Sequence, residues 1–431
     1  MLKAEDNELL TRIGPGTKMG GLLRHYWIPA LLTEELPDPD GRPVRLRLLG
    51  EDLVAFRGAD GQVGIVSEYC LHRGASLYYG KNSECGIRCV YHGWKYDRQG
   101  NCVDMPNEPP TSRFKEKIHL RAYRVHERNG IIWAYMGPRS DMPEPPHLEW
   151  NLVPEEQVTL TKRLTRANWA QVLEGGIDSS HGHFLHRGTV SEETFTAIGD
   201  SHPIYEVMDT EYGAMLAARH DGRDPAKYFW RVYQFLLPFY TMVPFGGDSP
   251  IISHAFVPRD DTSTMVWSAT WHPTRPMRAA DHADGSSVAV HAEEFRAPTD
   301  EADSRWAPKG GRDNDYLMDW DRQLTTPYSG IPGIPLQDAA MQESMGAIYD
   351  RRTEHLGMAD AAILKVRRRW LALARAAAEA EGYTELPGEA SPERYLVRSC
   401  AFIIPRELLW TEQAQKYVDA RLGVYDIPVI S

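Results

Sequence analysis

Residues 40–135 read as short apolar runs broken by turn residues, a pattern of strands rather than helices. Leu53-Val54-Ala55-Phe56-Arg57 and Gln62-Val63-Gly64-Ile65-Val66 flank Asp60-Gly61, a dipeptide that favours a tight hairpin. Ile131-Ile132-Trp133-Ala134-Tyr135 reads as a further strand, so this region is expected to be β-rich. The Pro-rich stretch from Pro138 to Pro154 reads as a boundary and divides the chain into 1–150 and 151–431. Beyond it, Phe229–Phe235 and Met265–Trp271 alternate as strands of an antiparallel sheet, and Ala361 to Glu381 carries a helical period. The expected fold class is therefore α+β. Residues 273–315 are rich in Pro, Gly, Ser, Asp and Ala and read as a long excursion or lid.

Composition narrows the function classes. At 431 residues the chain exceeds one ordinary core, which supports two domains. A formal net charge of −12 disfavours a general binder of nucleic acid or of anionic membrane. No run reaches the roughly 18–20 apolar residues of a membrane span. The segment Met1-Leu2-Lys3-Ala4-Glu5-Asp6 lacks the apolar core of a signal peptide. Five cysteines in a chain this long make no disulfide framework. A reducing, cytoplasmic location is expected. Gly14-Pro15-Gly16-Thr17-Lys18-Met19-Gly20 superficially resembles a nucleotide loop, but its spacing is wrong for the dinucleotide fingerprint, and a plain loop is expected.

Two metal-binding patterns carry the chemistry. The first is Cys70-x-His72, sixteen residues, then Cys89-x-x-His92. Two thiolates and two imidazoles suit a [2Fe–2S] cluster in which histidines ligate one iron, a replacement that raises the potential from about −400 mV to between about −150 and +300 mV. A structural zinc site is the competing reading. Classical fingers keep Cys with Cys and His with His, whereas each loop here offers one of each. Cys85, Cys102 and Cys400 define no further site and read as idle thiols.

The second pattern is Asp178-x-x-His181-x-x-x-x-His186. Residues 168–181 read as helical, with Glu174, Asp178 and His181 on one face. His181 and His186 are about 140° apart around an ideal helix, so they can share a metal only if the helix ends or bulges near Gly182. Two histidines and one carboxylate with open positions form the facial triad of non-haem Fe(II) oxygenases. Ordinary polar residues at a helix end are the plainer alternative for either histidine.

With these motifs the chain resembles the catalytic α subunit of Rieske non-haem iron aromatic-ring oxygenases, in the phthalate 4,5-dioxygenase-like branch. The resemblance includes the opening Glu5–Thr17, His25–Leu32, both metal patterns and Gln337-Asp338-Ala339-Ala340-Met341-Gln342-Glu343-Ser344-Met345-Gly346. It implies an N-terminal Rieske β-sandwich and a C-terminal helix-grip catalytic domain. Cys70, His72, Cys89 and His92 would hold the [2Fe–2S] cluster, and His181, His186 and Asp338 would bind a mononuclear Fe(II). Asp313, Asp315, Asp319 and Asp321 crowd one polar stretch as rival acids without a matching pattern. Asp178 would bridge a cluster histidine of a neighbouring subunit, with His92 as its counterpart, to His181 across an interface. The resemblance also implies O2, a separate NAD(P)H-dependent reductase of flavin or ferredoxin type, and a homotrimer or stacked trimers.

The branch implies an aromatic acid as substrate, either phthalate-like or benzoate-like, to be hydroxylated. A carboxylate calls for the planar fork of arginine, and Arg219 and Arg231 lie on expected strands of the catalytic half. Phe184, Trp230, Trp267 and Trp271 are aromatic residues of the same half, each more simply read as core. The basic run Arg367-Arg368-Arg369 reads as a solvated or interface face. O-demethylation of a methoxylated aromatic acid is possible on the same scaffold. A Rieske electron carrier without oxygenase activity would need no second metal, and a hydrolase would have no use for a cluster.

Overall fold

The computed structural model describes all residues except 139–141, 190–201, 245–247, 283–293, 326, 380–390 and 425–431. The N-terminal part builds a six-stranded antiparallel sheet, ordered Trp27–Leu32, Ile131–Tyr135, Ala122–Arg128, Val63–Ser67, Glu51–Arg57 and Val44–Leu48. The hairpin at Asp60-Gly61 forms as its dipeptide requires, pairing Arg57 with Val63. A four-stranded sheet (Lys81–Ser83, Gly86–Arg88, Lys95–Asp97, Cys102–Asp104) stands beside it and carries its own small core of Phe56, Leu77, Ile87, Trp94, Tyr96 and Leu120.

The C-terminal part is an eight-stranded antiparallel sheet running Val158–Thr165, Ser263–Trp271, Ile251–Asp260, Tyr240–Val243, Lys227–Leu236, Gly213–Asp221 and Ile204–Thr210, with Cys400–Pro405 paired to Lys227–Leu236. One face grips the helix Ala361–Glu379. Trp370 packs edge-on against Phe235 at 5.3 Å and against Trp169 at 4.7 Å. The opposite face is covered by the helix Trp410–Val418, whose Trp410 stacks on Trp230 at 5.6 Å. Trp230, Trp267 and Trp271 are all core residues. No helix among the described residues is long and apolar enough to cross a membrane.

Three expectations need correction. Residues 168–181 are not one helix: Trp169–Gly176 ends at Ile177, and a separate turn of helix begins at His181. At the end of the first helix a Cβ on Gly176 would lie 2.8 Å from the Phe256 ring, and one on Gly175 would meet only the movable amide end of Gln342 at 2.7 Å. Arg367 is not on a solvated face. It is buried against Glu174 and Glu354, while Arg368 alone of the run is exposed. The flanks of 273–315 are not a free lid either, since Asp303, Ser304 and Trp306 are buried and Trp306 Nε1 donates to Glu35 at 2.9 Å. Residues 283–293 of that segment lie outside the described residues.

Candidate metal centres and pocket

Both cluster loops close by the same device. Gly74 N–H donates to the Cys70 carbonyl and Gly93 N–H to the Cys89 carbonyl, each at 2.9 Å. Both glycines sit at positive φ (74° and 82°), a region costly for other residues, so each loop folds back within one turn of its cysteine. Cys70 and Cys89 are buried and unbridged. The His72 and His92 rings approach to 4.4 Å, and His72 stacks on Trp94 at 4.7 Å. His72 Nδ1 is buried without a hydrogen-bond partner among the described residues, a cost that a metal bond would remove. The Tyr96 hydroxyl lies 3.3 Å from Cys70 Sγ and accepts from Leu71 N–H. Cys102 is buried in the same small core. Burial pushes its thiol up to about 11, as expected of an idle cysteine.

The second site assembles from three segments. Asp178 follows the helix Trp169–Gly176, His181 and His186 bracket the short helix His181–Leu185, and Asp338 comes from the helix Ile334–Ser344. His181 Nε2 and His186 Nε2 lie 3.2 Å apart, and Asp338 Oδ1 is 3.6 and 3.4 Å from them. Neighbouring ligand atoms about 2.1 Å from a metal, at about 90–115° to one another, are separated by about 3.0–3.5 Å, so the three atoms fit one ion. The break expected near Gly182 is instead placed on either side, between Ile177 and Ser180 and again at His186. Of the rival acids, Asp313 pairs with Arg296 and Asp319 caps the helix Trp320–Gln323.

Electrostatics favour a cation here. Asp178 Oδ1 accepts from both the backbone and the hydroxyl of Ser180, leaving Oδ2 3.6 Å from His181 Nδ1. Burial alone would raise the Asp178 carboxyl, but the His181 imidazole outweighs it and holds it down at about 2. Burial likewise opposes a charge on His181, yet Asp178 and Asp338 push its value up to about 9. Gln337, which the sequence argument did not single out, accepts from His186 Nδ1 at 2.8 Å. Its position next to Asp338 was the available signal.

A cavity opens beside the side chains of His181, His186 and Asp338. The strand register explains which side chains reach it. Arg231 and Tyr233 share a sheet face with His254, Phe256 and Val266, and all of these line the cavity together with His181, His186 and Asp338. Arg219 pairs with Trp230 across the strands, one residue out of step with Arg231. It therefore points to the opposite face, where it stacks over Tyr228 at 4.5 Å, and it is not brought to the site. Phe184 borders an adjoining, more open cavity.

Comparison with known proteins agrees with this geometry. Residues 26–123 match the Rieske [2Fe–2S] domain, and residues 134–425 match the family described as LigXa C-terminal domain like. The chain is 39 % identical to the 3-chlorobenzoate-3,4-dioxygenase oxygenase subunit of Comamonas testosteroni, over 97 % of this chain and 99 % of that one. It is 34 % identical to the phthalate 4,5-dioxygenase oxygenase subunit of Pseudomonas putida, over 97 % and 96 %. The chain belongs to the Rieske non-haem iron oxygenases. The oxygenase subunit is also 31 % identical to the 5,5'-dehydrodivanillate O-demethylase oxygenase subunit of Sphingobium sp. (strain NBRC 103272 / SYK-6), over 86 % of this chain and 80 % of that one. Its fold is shared by dicamba monooxygenase bound to 3,6-dichlorosalicylic acid, with a TM-score of 0.60 at 17 % identity, over 83 % of this chain and 99 % of that one. This Rieske oxygenase subunit therefore carries a [2Fe–2S] cluster and a mononuclear iron, and works with O2 and a separate electron donor.

Proposed function

We propose that this oxygenase subunit hydroxylates an aromatic carboxylate of benzoate or phthalate type. Cys70, His72, Cys89 and His92 hold the cluster, and His181, His186 and Asp338 hold the iron. The observation that carries this reading is the convergence of two imidazole Nε2 atoms and one carboxylate at the mouth of a cavity that also contains Arg231. Bound iron supplies O2 activation, with electrons delivered through the cluster.

The chain's own residues do the rest. Gln337 holds His186 with Nε2 turned inward, and Asp178 does the same for His181. Val266 and Phe256 offer apolar walls for a ring and exclude water around it. Arg231, buried and tied to Ser179 Oγ and the Pro244 carbonyl, holds positive charge in the cavity. Asp178 retains 22 % side-chain exposure, which suits a carboxylate that also meets His92 of a neighbouring subunit in a homotrimer or stacked trimers. Val90 and Tyr91, beside the cluster loop, are 66 % and 58 % exposed, which suits burial by a neighbouring subunit or by an NAD(P)H-dependent reductase.

A single turnover of the reduced, iron-loaded protein with labelled O2 and a set of aromatic acids tests the reading. Gain of two labelled oxygens supports dihydroxylation. Loss of a methyl group as formaldehyde would support the second reading, O-demethylation, which the 31 % identical demethylase subunit favours. No product from any acid, with both centres intact, would overturn the carboxylate substrate.

A further inference from the structure

Among the described residues seven arginines are buried: Arg57, Arg163, Arg231, Arg259, Arg351, Arg367 and Arg398. Five of them sit against an acid: Arg57 on Glu127, Arg259 on Asp303, Arg351 and Arg367 on Glu174, and Arg398 on Glu149. Among the described residues, Arg163 and Arg231 have no such counter-ion, and both line the cavity beside the iron ligands. A buried guanidinium without an anion is costly, so two in one cavity call for a ligand that brings the negative charge.

The two differ in what they have left to give. Arg231 spends both terminal nitrogens on Ser179 Oγ (3.1 Å) and the Pro244 carbonyl (3.2 Å). Arg163 is 7 % exposed and no described residue accepts a hydrogen bond from any of its nitrogens, whereas in Arg231 only Nε is buried without a partner. Its direction follows from the strand pleat. The preceding residue, Lys162, turns to the other face and meets Glu35 at 2.6 Å, so Arg163 turns to the cavity face. There it pairs with Val266, which pairs in turn with Phe256, placing two apolar side chains in the same row.

We infer that Arg163 is the bidentate anchor for the anionic group of the substrate, a carboxylate on an aromatic ring, with Arg231 as a second, already tethered positive charge. The fork of Arg163 matches the two carboxylate oxygens, and Val266 and Phe256 flank the ring that carries them. This rests on the oxygenase reading of the cavity, but it assigns the recognition of charge to a residue of its own.

The test uses the metal-loaded protein and two probes, benzoate and benzamide, with binding read by calorimetry under anaerobic conditions. The wild type should prefer the acid. In Arg163→Gln, benzoate binding should weaken by about 100-fold or more, and the preference for acid over amide should collapse. Arg163→Lys keeps the charge without the fork and should fall between the two. It also carries the test if Arg163→Gln does not fold, as judged by the cluster spectrum and iron content. A wild-type protein indifferent to the charge of the probe, or a folded Arg163→Gln that keeps the full preference, would overturn the anchor. If benzoate binding depends on Arg163 but no aromatic acid is oxygenated, the anchor stands and the proposed reaction falls.

Discussion

His186 Nδ1 and Gln337 Oε1 lie 2.8 Å apart, and the same glutamine gives its amide hydrogens to Thr189 Oγ1 at 2.7 Å and to the Ile331 carbonyl at 2.8 Å. With both N–H groups committed, Oε1 can only accept. The proton of His186 is thereby placed on Nδ1, and the lone pair on Nε2 faces His181 and Asp338. Gln337→Leu removes the acceptor while keeping much of the volume. Iron affinity should fall about 10- to 100-fold, with the cluster spectrum unchanged. Competition with a chelator measures it, and undiminished iron retention would show that the tautomer is held by something else.

Asp178 occupies the corresponding place behind His181, 3.6 Å from Nδ1, but is itself partly exposed. A residue that only oriented a ligand could be buried like Gln337, which is 0 % exposed. Asp178→Asn keeps the shape and removes the charge. If Asp178 bridges two subunits as proposed, turnover should stop while both metal centres still load. Reduction of the cluster in a stopped-flow experiment should remain fast, with product formation lost. Full activity in this variant would contradict the bridging role.

The metal-free pocket should bind iron in a pH-dependent way. Opposed by burial but raised by Asp178 and Asp338, His181 holds its proton up to about pH 9, whereas burial lowers His186 and keeps it neutral. A metal needs both imidazoles unprotonated, so iron uptake near neutral pH should release about one proton per chain, and apparent affinity should rise up to about tenfold per pH unit until it levels near pH 9. The sign for stability runs the other way. The folded value lies above the free imidazole's value of about 6.5, so the charged pair stabilises the metal-free fold fully below about pH 6.5 and fades as pH rises through 9. Melting of metal-free protein at pH 6.5 and at pH 9 checks this, and a higher melting temperature at pH 9 would contradict it.

Much of the site was legible where chemistry is concentrated in short spacings. The four proposed cluster ligands lie within two short loops, and the strands Ile131–Tyr135, Lys227–Leu236 and Ser263–Trp271 contain apolar runs that local physics already favours. What required the fold was direction. Arg219 and Arg231 look equivalent along the chain, and only the pairing of Arg219 with Trp230 shows that they sit on opposite faces. Arg163 stands next to Lys162 in the polar sequence Thr159-Leu160-Thr161-Lys162-Arg163, which by itself signals no site. Two adjacent cations there are two buried charges with different partners, one facing Glu35 and one facing the cavity. The helix over 168–181 is interrupted at Ile177, after two consecutive glycines, Gly175 and Gly176, the second of which lies under the Phe256 ring where a Cβ would not fit without a shift. The Arg367 run failed for a related one, because burial of an arginine depends on a carboxylate nearly two hundred residues away.

Arg367 supplies the last prediction. Its Nε and NH2 donate to Glu174 at 2.6 and 2.8 Å, and its NH1 donates to Glu354 at 2.5 Å, with all three residues buried. Burial would raise the Glu174 carboxyl, but Arg351 and Arg367 hold it below the usual carboxylate range, so it is charged in the fold. Arg367→Met leaves Glu354 without its cation and Glu174 with Arg351 alone. Removing one partner from a buried pair costs about 3–5 kcal/mol, because the remaining charge stays buried and unpaired. The variant should melt well below the wild type and, since Glu174 lies on the helix leading into Asp178, should lose iron before it loses the cluster. Adding Glu354→Gln to Arg367→Met should restore part of the stability by removing the stranded charge. Superimposable melting curves for the single variant and the wild type would show that this network contributes nothing to the pocket it supports.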